Sequence, residues 1–264
     1  MFFAQAPLWL SSLIFLVVLP LVAVAAHAIA RRRFGINSLR ANNEVASAKF
    51  NTIGVAYAVL LAFAVTVVWE KFNAAESLVT QEASAAVTIY RLAKSLPDDT
   101  GSALHGTINT YLKAAIEQDW PAMAHGRDGR PSPEATHALD ETYAVLLRYS
   151  PVDGRGEALL NGILHQLDQL TDARRGRIAA AGGSVPSVVW MVLVGGAFLT
   201  IGFTFFLGTE NFNAQMLMTG ALSVLIFSGL LLIVTVDHPF SGSVKVQPEA
   251  LEFVLTHFGN VANP

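Results

Sequence analysis

The chain has 264 residues, 53% of them hydrophobic and 14% charged, with a formal net charge of -3 and a mean hydropathy of +0.46. The apolar residues are gathered into long runs, which defines an integral membrane protein, and no basic cluster is interleaved with aromatics, which argues against nucleic acid as a partner. The absence of cysteine excludes disulfides, thiol catalysis and cysteine metal sites, and is neutral about the compartment of any soluble part.

The opening Met1-Phe2-Phe3-Ala4-Gln5 lacks the positive n-region of a secretory signal, so the first apolar run reads as a retained span. That span covers about Leu8 to Ala30, with Trp9 at an interface, Pro20 as a kink and Arg31-Arg32-Arg33 at its end. A short connection over residues 34–50, holding Arg40, Asn42-Asn43-Glu44 and Lys49, leads to the second span at about 51–69.

The second span does not stop at the membrane. From Glu44 to Lys94 the sequence predicts one helix, uncharged over Ile53–Trp69 and amphipathic beyond Glu70, with no Gly or Pro to break the second half. Phe72, Val79, Ala86 and Ala93 recur every seven residues, with Ala75 or Glu76, Ala83 and Tyr90 between them. This is a seam of largely small side chains, through which helices approach closely. At 1.5 Å per residue, ~45 helical residues reach roughly 65 Å, about twice the hydrocarbon thickness.

Residues 70–184 carry 11 basic and 15 acidic side chains, a soluble composition with helical periodicity throughout. Leu104, Ile108, Tyr111, Leu112, Ala115 and Ile116 mark one amphipathic helix, and Ala135, Leu139, Thr142, Tyr143, Leu146 and Leu147 a second, which Ser132-Pro133 opens as N-cap and N1. Leu160, Ile163, Leu164, Leu167 and Leu170 outline a third at about 157–178. The loop His125–Pro131 between the first two reads as exposed and mobile. Two further spans, about 185–207 and 214–236, are separated only by Gly208–Asn213 and so form an antiparallel hairpin. The expected fold is all-α: four transmembrane helices with a soluble helical bundle inserted between spans two and three. Residues 1–72 form one hairpin, 73–184 the bundle, 185–237 the second hairpin and 238–264 a tail with a short amphipathic helix.

Three stretches together resemble a family of membrane proteins described as bestrophin-like. They are Asn43-Glu44 with Ile53–Phe63 and Trp69-Glu70, then Phe203–Asn211, then Asp237-His238-Pro239-Phe240-Ser241-Gly242. The resemblance implies four spans, a soluble helical part between the second and third, and a homo-oligomer. Bestrophins are oligomeric chloride channels whose second span lines the pore and whose soluble part is cytosolic. This chain has no acidic run of the bestrophin calcium-clasp kind, so calcium gating is not carried over.

Catalysis finds little support, and no cofactor is expected. The seven His show no metal-ligand spacing, and no Gly-rich phosphate loop follows a strand. His137 with Asp140 and Glu141, and His165 with Asp168 and Asp172, read as solvated helix faces.

The residues that suggest function lie on the long helix. Glu70 stands where the second span leaves the membrane. In an oligomer built round this helix it forms a ring of carboxylates that concentrates cations, while beside Lys71 it reads equally as an interface marker. Glu44 at the other end is a second candidate ring or a helix-dipole partner. Glu76 and Glu82 read as solvent-facing. Within the span, Thr52, Thr66, Leu60 and Phe63 suit a pore with an apolar constriction, and Tyr57 falls off the face shared by the two Thr. Asp237, His238 and Pro239 end the fourth span as a gating motif or an ordinary turn. Gly195, Gly196, Gly202, Gly220 and Gly229 permit close helix contacts.

The expected function is passive ion conduction by a homo-oligomer in a bacterial cytoplasmic membrane, with inorganic ions and lipid as its partners and a cation preference set by Glu70 and Glu44. The alternatives are an anion channel of bestrophin type and a non-conducting membrane scaffold or sensor. Lys and Arg near the spans balance between the two sides. The first helix tips the orientation to both termini and the bundle outside.

Overall fold

The structure is a computed structural model, and it describes residues 7–35, 39–40, 43–125, 130–183 and 185–259. Most of the loop expected at His125–Pro131 lies outside the described residues. All described elements are helical. The first span, α1 (Leu8–Phe34), contains a π-helical turn at Ile14–Val18 just ahead of Pro20. The backbone irregularity expected at the proline is therefore placed in the turn preceding it, where the ring removes a donor from the helical ladder.

The long helix α2 (Asn43–Ala93) is unbroken over 51 residues, about 75 Å at the helical rise. The soluble helices are α3 (Asp98–Ala114), extended by a π turn at Ala115–Asp119 into Trp120–Ala124, then α4 (Pro133–Arg148) and α5 (Gly154–Ala179). Ser132 caps α4 by accepting from the Ala135 N–H at 3.3 Å, and Asp153 caps α5 by accepting from the Gly156 N–H at 2.7 Å. Spans α6 (Ser187–Thr204) and α7 (Phe212–Val236) and the tail helix α8 (Glu249–Phe258) complete the chain. Four helices, α1, α2, α6 and α7, are long and apolar enough to cross a membrane.

The chain divides into two compact units, and α2 contributes to both. The first comprises Met1–Glu70, Gly183–Asp237 and Gly242–Val244; the second comprises Lys71–Gly182, His238–Ser241 and Lys245–Pro264. In the first unit, two glycines set how closely the spans meet. A Cβ on Gly196 would lie 2.5 Å from the Tyr57 ring, and one on Gly229 would lie 2.7 Å from Leu61. Gly195 and Gly202 face open space, so only some of the expected contact glycines serve that role.

The second unit is a helical bundle with one apolar core. Its α2 side includes Ala75, Val79, Ala83, Ala86, Ile89, Tyr90 and Ala93. Against them lie Leu104, Ile108, Tyr111 and Leu112 of α3, Leu139 and Leu146 of α4, Ile163, Leu167 and Leu170 of α5, and Leu251 and Val254 of α8. Each fully buried Leu or Ile stabilises by about 1.5–3 kcal/mol. The small-residue seam of α2 thus packs inside its own bundle.

Candidate functional site

The phase of α2 decides which residues a second molecule or an ion could meet. Tyr57, Ala64, Val68, Ala75, Val79, Ala86 and Ala93 are all buried, in steps of four and seven that follow one helix face. At 100° per residue, Thr52, Phe63, Thr66 and Glu70 fall within a sector of ~60° on the opposite face, and all four are exposed. Leu60 and Glu44, also exposed, flank that sector at ~80° to either side. Tyr57 is turned away from it, 4% exposed against Gly196. The Thr52 and Thr66 hydroxyls donate to their own helix, to the Ala48 and Ala62 carbonyls at 3.2 and 3.0 Å. Their oxygens remain available as acceptors on the free face.

Asp237 at the end of α7 reaches beyond its own segment. It is buried, and its Oδ1 accepts from the Val185 N–H at 2.9 Å, tying the start of the third span to the end of the fourth. His238 and Pro239 follow in the second unit, where the Pro239 carbonyl accepts from the Val246 N–H at 2.7 Å.

Two buried polar clusters escaped sequence reasoning. The first corrects the reading of Glu82 as solvent-facing: it is 0% exposed. Arg177 grips it with two bonds, Nε to Oε2 at 2.6 Å and Nη2 to Oε1 at 2.9 Å, and Tyr111 donates its hydroxyl to Oε1. Arg177 also approaches Asp119 at 3.5 Å, and Arg174 donates Nε to Asp119 Oδ2 at 3.0 Å. The Ser132 N–H donates to Asp119 Oδ1 at 2.8 Å, and the Arg177 guanidinium lies 4.6 Å over the Trp120 ring. Two carboxylates and two guanidinium groups are therefore buried with balanced charge. Burial opposes the Arg177 charge, but Glu82 more than offsets it and holds the guanidinium above its ordinary range, while burial and Glu82 push the Tyr111 phenol well up. The signal available in the sequence was positional. Glu82 follows Val79 by three and precedes Ala86 by four, on the buried face.

The second cluster joins α1 to α7. Gln215 accepts from Arg31 and donates to the Leu207 carbonyl, which fixes which end of its amide is nitrogen. That nitrogen lies 2.9 Å from His27 Nε2, so Nε2 is the acceptor, and Nδ1–H is left to donate to Thr219 Oγ1 at 2.7 Å. His27, Gln215 and Thr219 are all buried. Beside them lies a cavity of about 280 Å³, completed by Phe50, Thr204, Leu207, Thr209, Met218 and Leu222. At the same end of this unit Asn43 exchanges two bonds with Gly208, and Arg40 pairs with Glu210 at 2.8 Å. Among the described residues no group of three or more His, Asp or Glu is placed to hold a metal ion.

A four-span helical membrane protein with a soluble bundle carried on a continuous second helix is the class these features define. The model of the bestrophin-like domain matches residues 17–251. The chain belongs to that family. Its fold is similar to crystal structures of a bacterial bestrophin homolog from Klebsiella pneumoniae. One of these, a point variant, is 18% identical at a TM-score of 0.67, covering 94% of this chain and 98% of that one. The form solved by Zn-SAD phasing is 15% identical at 0.71, covering 94% and 99%. A further crystal structure, of a variant described only as a membrane protein, is 15% identical at 0.72, with the same coverage. A search of the curated proteins finds no match.

Proposed function

We propose that the protein is a homo-oligomeric ion channel whose path is lined by α2. The observation that carries this reading is the two-sidedness of that helix: one face is buried from Tyr57 to Ala93, and the opposite face is left free with Thr52, Thr66 and Glu70 upon it. Copies arranged round an axis with that face inward line a path with Phe63 as an apolar constriction and Glu70 as a ring of carboxylates, Leu60 and Glu44 at its margins. Such rings concentrate cations, so the channel prefers cations. Family membership supports conduction in general, and Glu70 supplies the sign.

The test is the reversal potential of the purified protein in a planar bilayer under a KCl gradient. A value near the potassium potential that moves toward zero in Glu70→Gln supports the reading. A value near the chloride potential makes it an anion channel of bestrophin type. No current with the protein inserted leaves a scaffold. In this reading Arg31–Arg33 hold residues 31–50 in the cytoplasm and the bundle outside. Val152 is 100% exposed in the bundle and the chain has no cysteine, so Val152→Cys reports orientation directly. Labelling by an impermeant maleimide in intact spheroplasts is expected; labelling only after permeabilisation would put the bundle in the cytosol, where bestrophins keep theirs.

A further inference from the structure

The soluble half of α2 carries a second feature on its free face. Two residues before each member of the heptad Phe72, Val79, Ala86 and Ala93, the helix presents a position on its other side. That position is occupied by Glu70, Ser77, Ser84 and Arg91, and all four are exposed. Between the two charges the same sector holds Asn73, Gln81 and Thr88, all neutral. Lys71 and Glu76, also exposed, are displaced by ~100° or more from the sector's centre.

This absence of charge is unlike the solvated faces of α4 and α5, where Glu141 lies 3.6 Å from His137 and Arg175 pairs with Asp172 at 3.5 Å. Arg91 differs from them too. Among the described residues it makes no ion pair, and its guanidinium lies 5.8 Å over the Phe258 ring of α8, which orders it without neutralising it.

We propose that Arg91 forms a ring of positive charge on the conduction path, opposite in sign to the Glu70 ring and separated from it by neutral side chains, so that the channel rectifies. The proposal rests on the α2 path described above. Three heptads of helix put about 30 Å between the rings, several times the ~8 Å Debye length in physiological salt, so each ring acts on ions near it without cancelling the other. A field that drives cations from Glu70 toward Arg91 also drives anions from Arg91 toward Glu70. Each ion then enters where its counter-charge is fixed, both accumulate, and conductance is high. The reverse field depletes the segment between the rings. Arg91 thus determines specificity by opposing the cation preference that Glu70 creates.

The experiment compares currents at equal and opposite voltages in symmetric KCl, together with the reversal potential, for the wild type, Arg91→Gln, Arg91→Lys and Glu70→Gln. The expected result is a wild-type current ratio different from one, which Arg91→Gln brings toward one and Arg91→Lys preserves, with Arg91→Gln also strengthening cation preference. An unchanged current ratio and reversal potential in Arg91→Gln, while Glu70→Gln still shifts the reversal potential, would overturn the Arg91 ring and leave the α2 path standing. No response to either Gln variant overturns both.

Discussion

The two units bury polar groups by different means. The soluble unit takes in four formal charges, Glu82, Asp119, Arg174 and Arg177, all 5% exposed or less. Apart from Asp237 at the end of α7, the polar side chains that the membrane unit buries among the described residues are uncharged, His27, Gln215 and Thr219 among them, and the guanidinium that serves these, Arg31, is only half-buried at the end of α1. The difference follows from what surrounds each unit. In a water-soluble bundle, charges are desolvated by the core that closes round them, and two-point arginine–carboxylate bonds recover much of the cost. At membrane depth a charge costs about 2.5–3.5 kcal/mol even on the gentlest scale, so a cluster there is assembled from donors and acceptors that carry none.

The sharpest way to break the comparison is to remove one charge from the soluble cluster. Glu82→Ala leaves Arg177 buried with the 3.5 Å approach to Asp119 as its remaining carboxylate contact, and should cost about 3–5 kcal/mol of stability. Replacing both partners, Glu82→Leu with Arg177→Met, should recover most of that loss, because Asp119 keeps Arg174. Unfolding of the purified protein followed by circular dichroism measures both; a double variant as unstable as the single one would show that the charges are not coupled.

In the membrane unit, Gln215→Leu removes the partners of His27, Arg31 and the Leu207 carbonyl at once. The expected loss is smaller, about 1–3 kcal/mol, since no charge is stranded in the interior and the half-buried Arg31 retains its 3.2 Å bond to the Glu210 carbonyl. A loss larger than that of Glu82→Ala would reverse the ranking of the two clusters.

The smallest effect concerns His105 in the soluble unit. Burial, with the Lys94 charge second, pushes its imidazole below the ordinary value of 6.5. As pH falls through about 6.5 the unfolded chain gains a proton that the folded chain refuses, so this group lowers stability from there down to its folded value and contributes nothing above it. Melting temperatures measured from pH 7.5 down to 5 should fall less in His105→Phe than in the wild type. Parallel curves would mean that His105 titrates alike in both states.

Much of the architecture was legible because it depends on local periodicity. Hydropathy runs marked the four spans, and the short Gly208–Asn213 connection marked the hairpin. The seven-residue recurrence from Phe72 to Ala93 marked the continuation of the second helix. The same recurrence held the fate of Glu82, three residues after Val79 and thus on the inward face, but an acidic side chain on a helix is normally solvated and nothing nearby announced a partner. That partner, Arg177, lies 95 residues further along, where it looked like one of three basic residues preceding a span. His27 and Gln215 were hidden for a similar reason: a single polar side chain in an apolar run carries no indication of which other span completes it.

The sequence by itself determined the helices, their lengths, and which of them are apolar enough for a membrane, since these follow from neighbours three, four and seven positions apart. Only the tertiary structure decided which face of the long helix is covered and which is free. That choice depends on α6 and α7 in the membrane unit and on side chains from α3, α4, α5 and α8 in the bundle, which leave Thr52, Thr66, Glu70 and Arg91 uncovered while Glu82 is sealed inside.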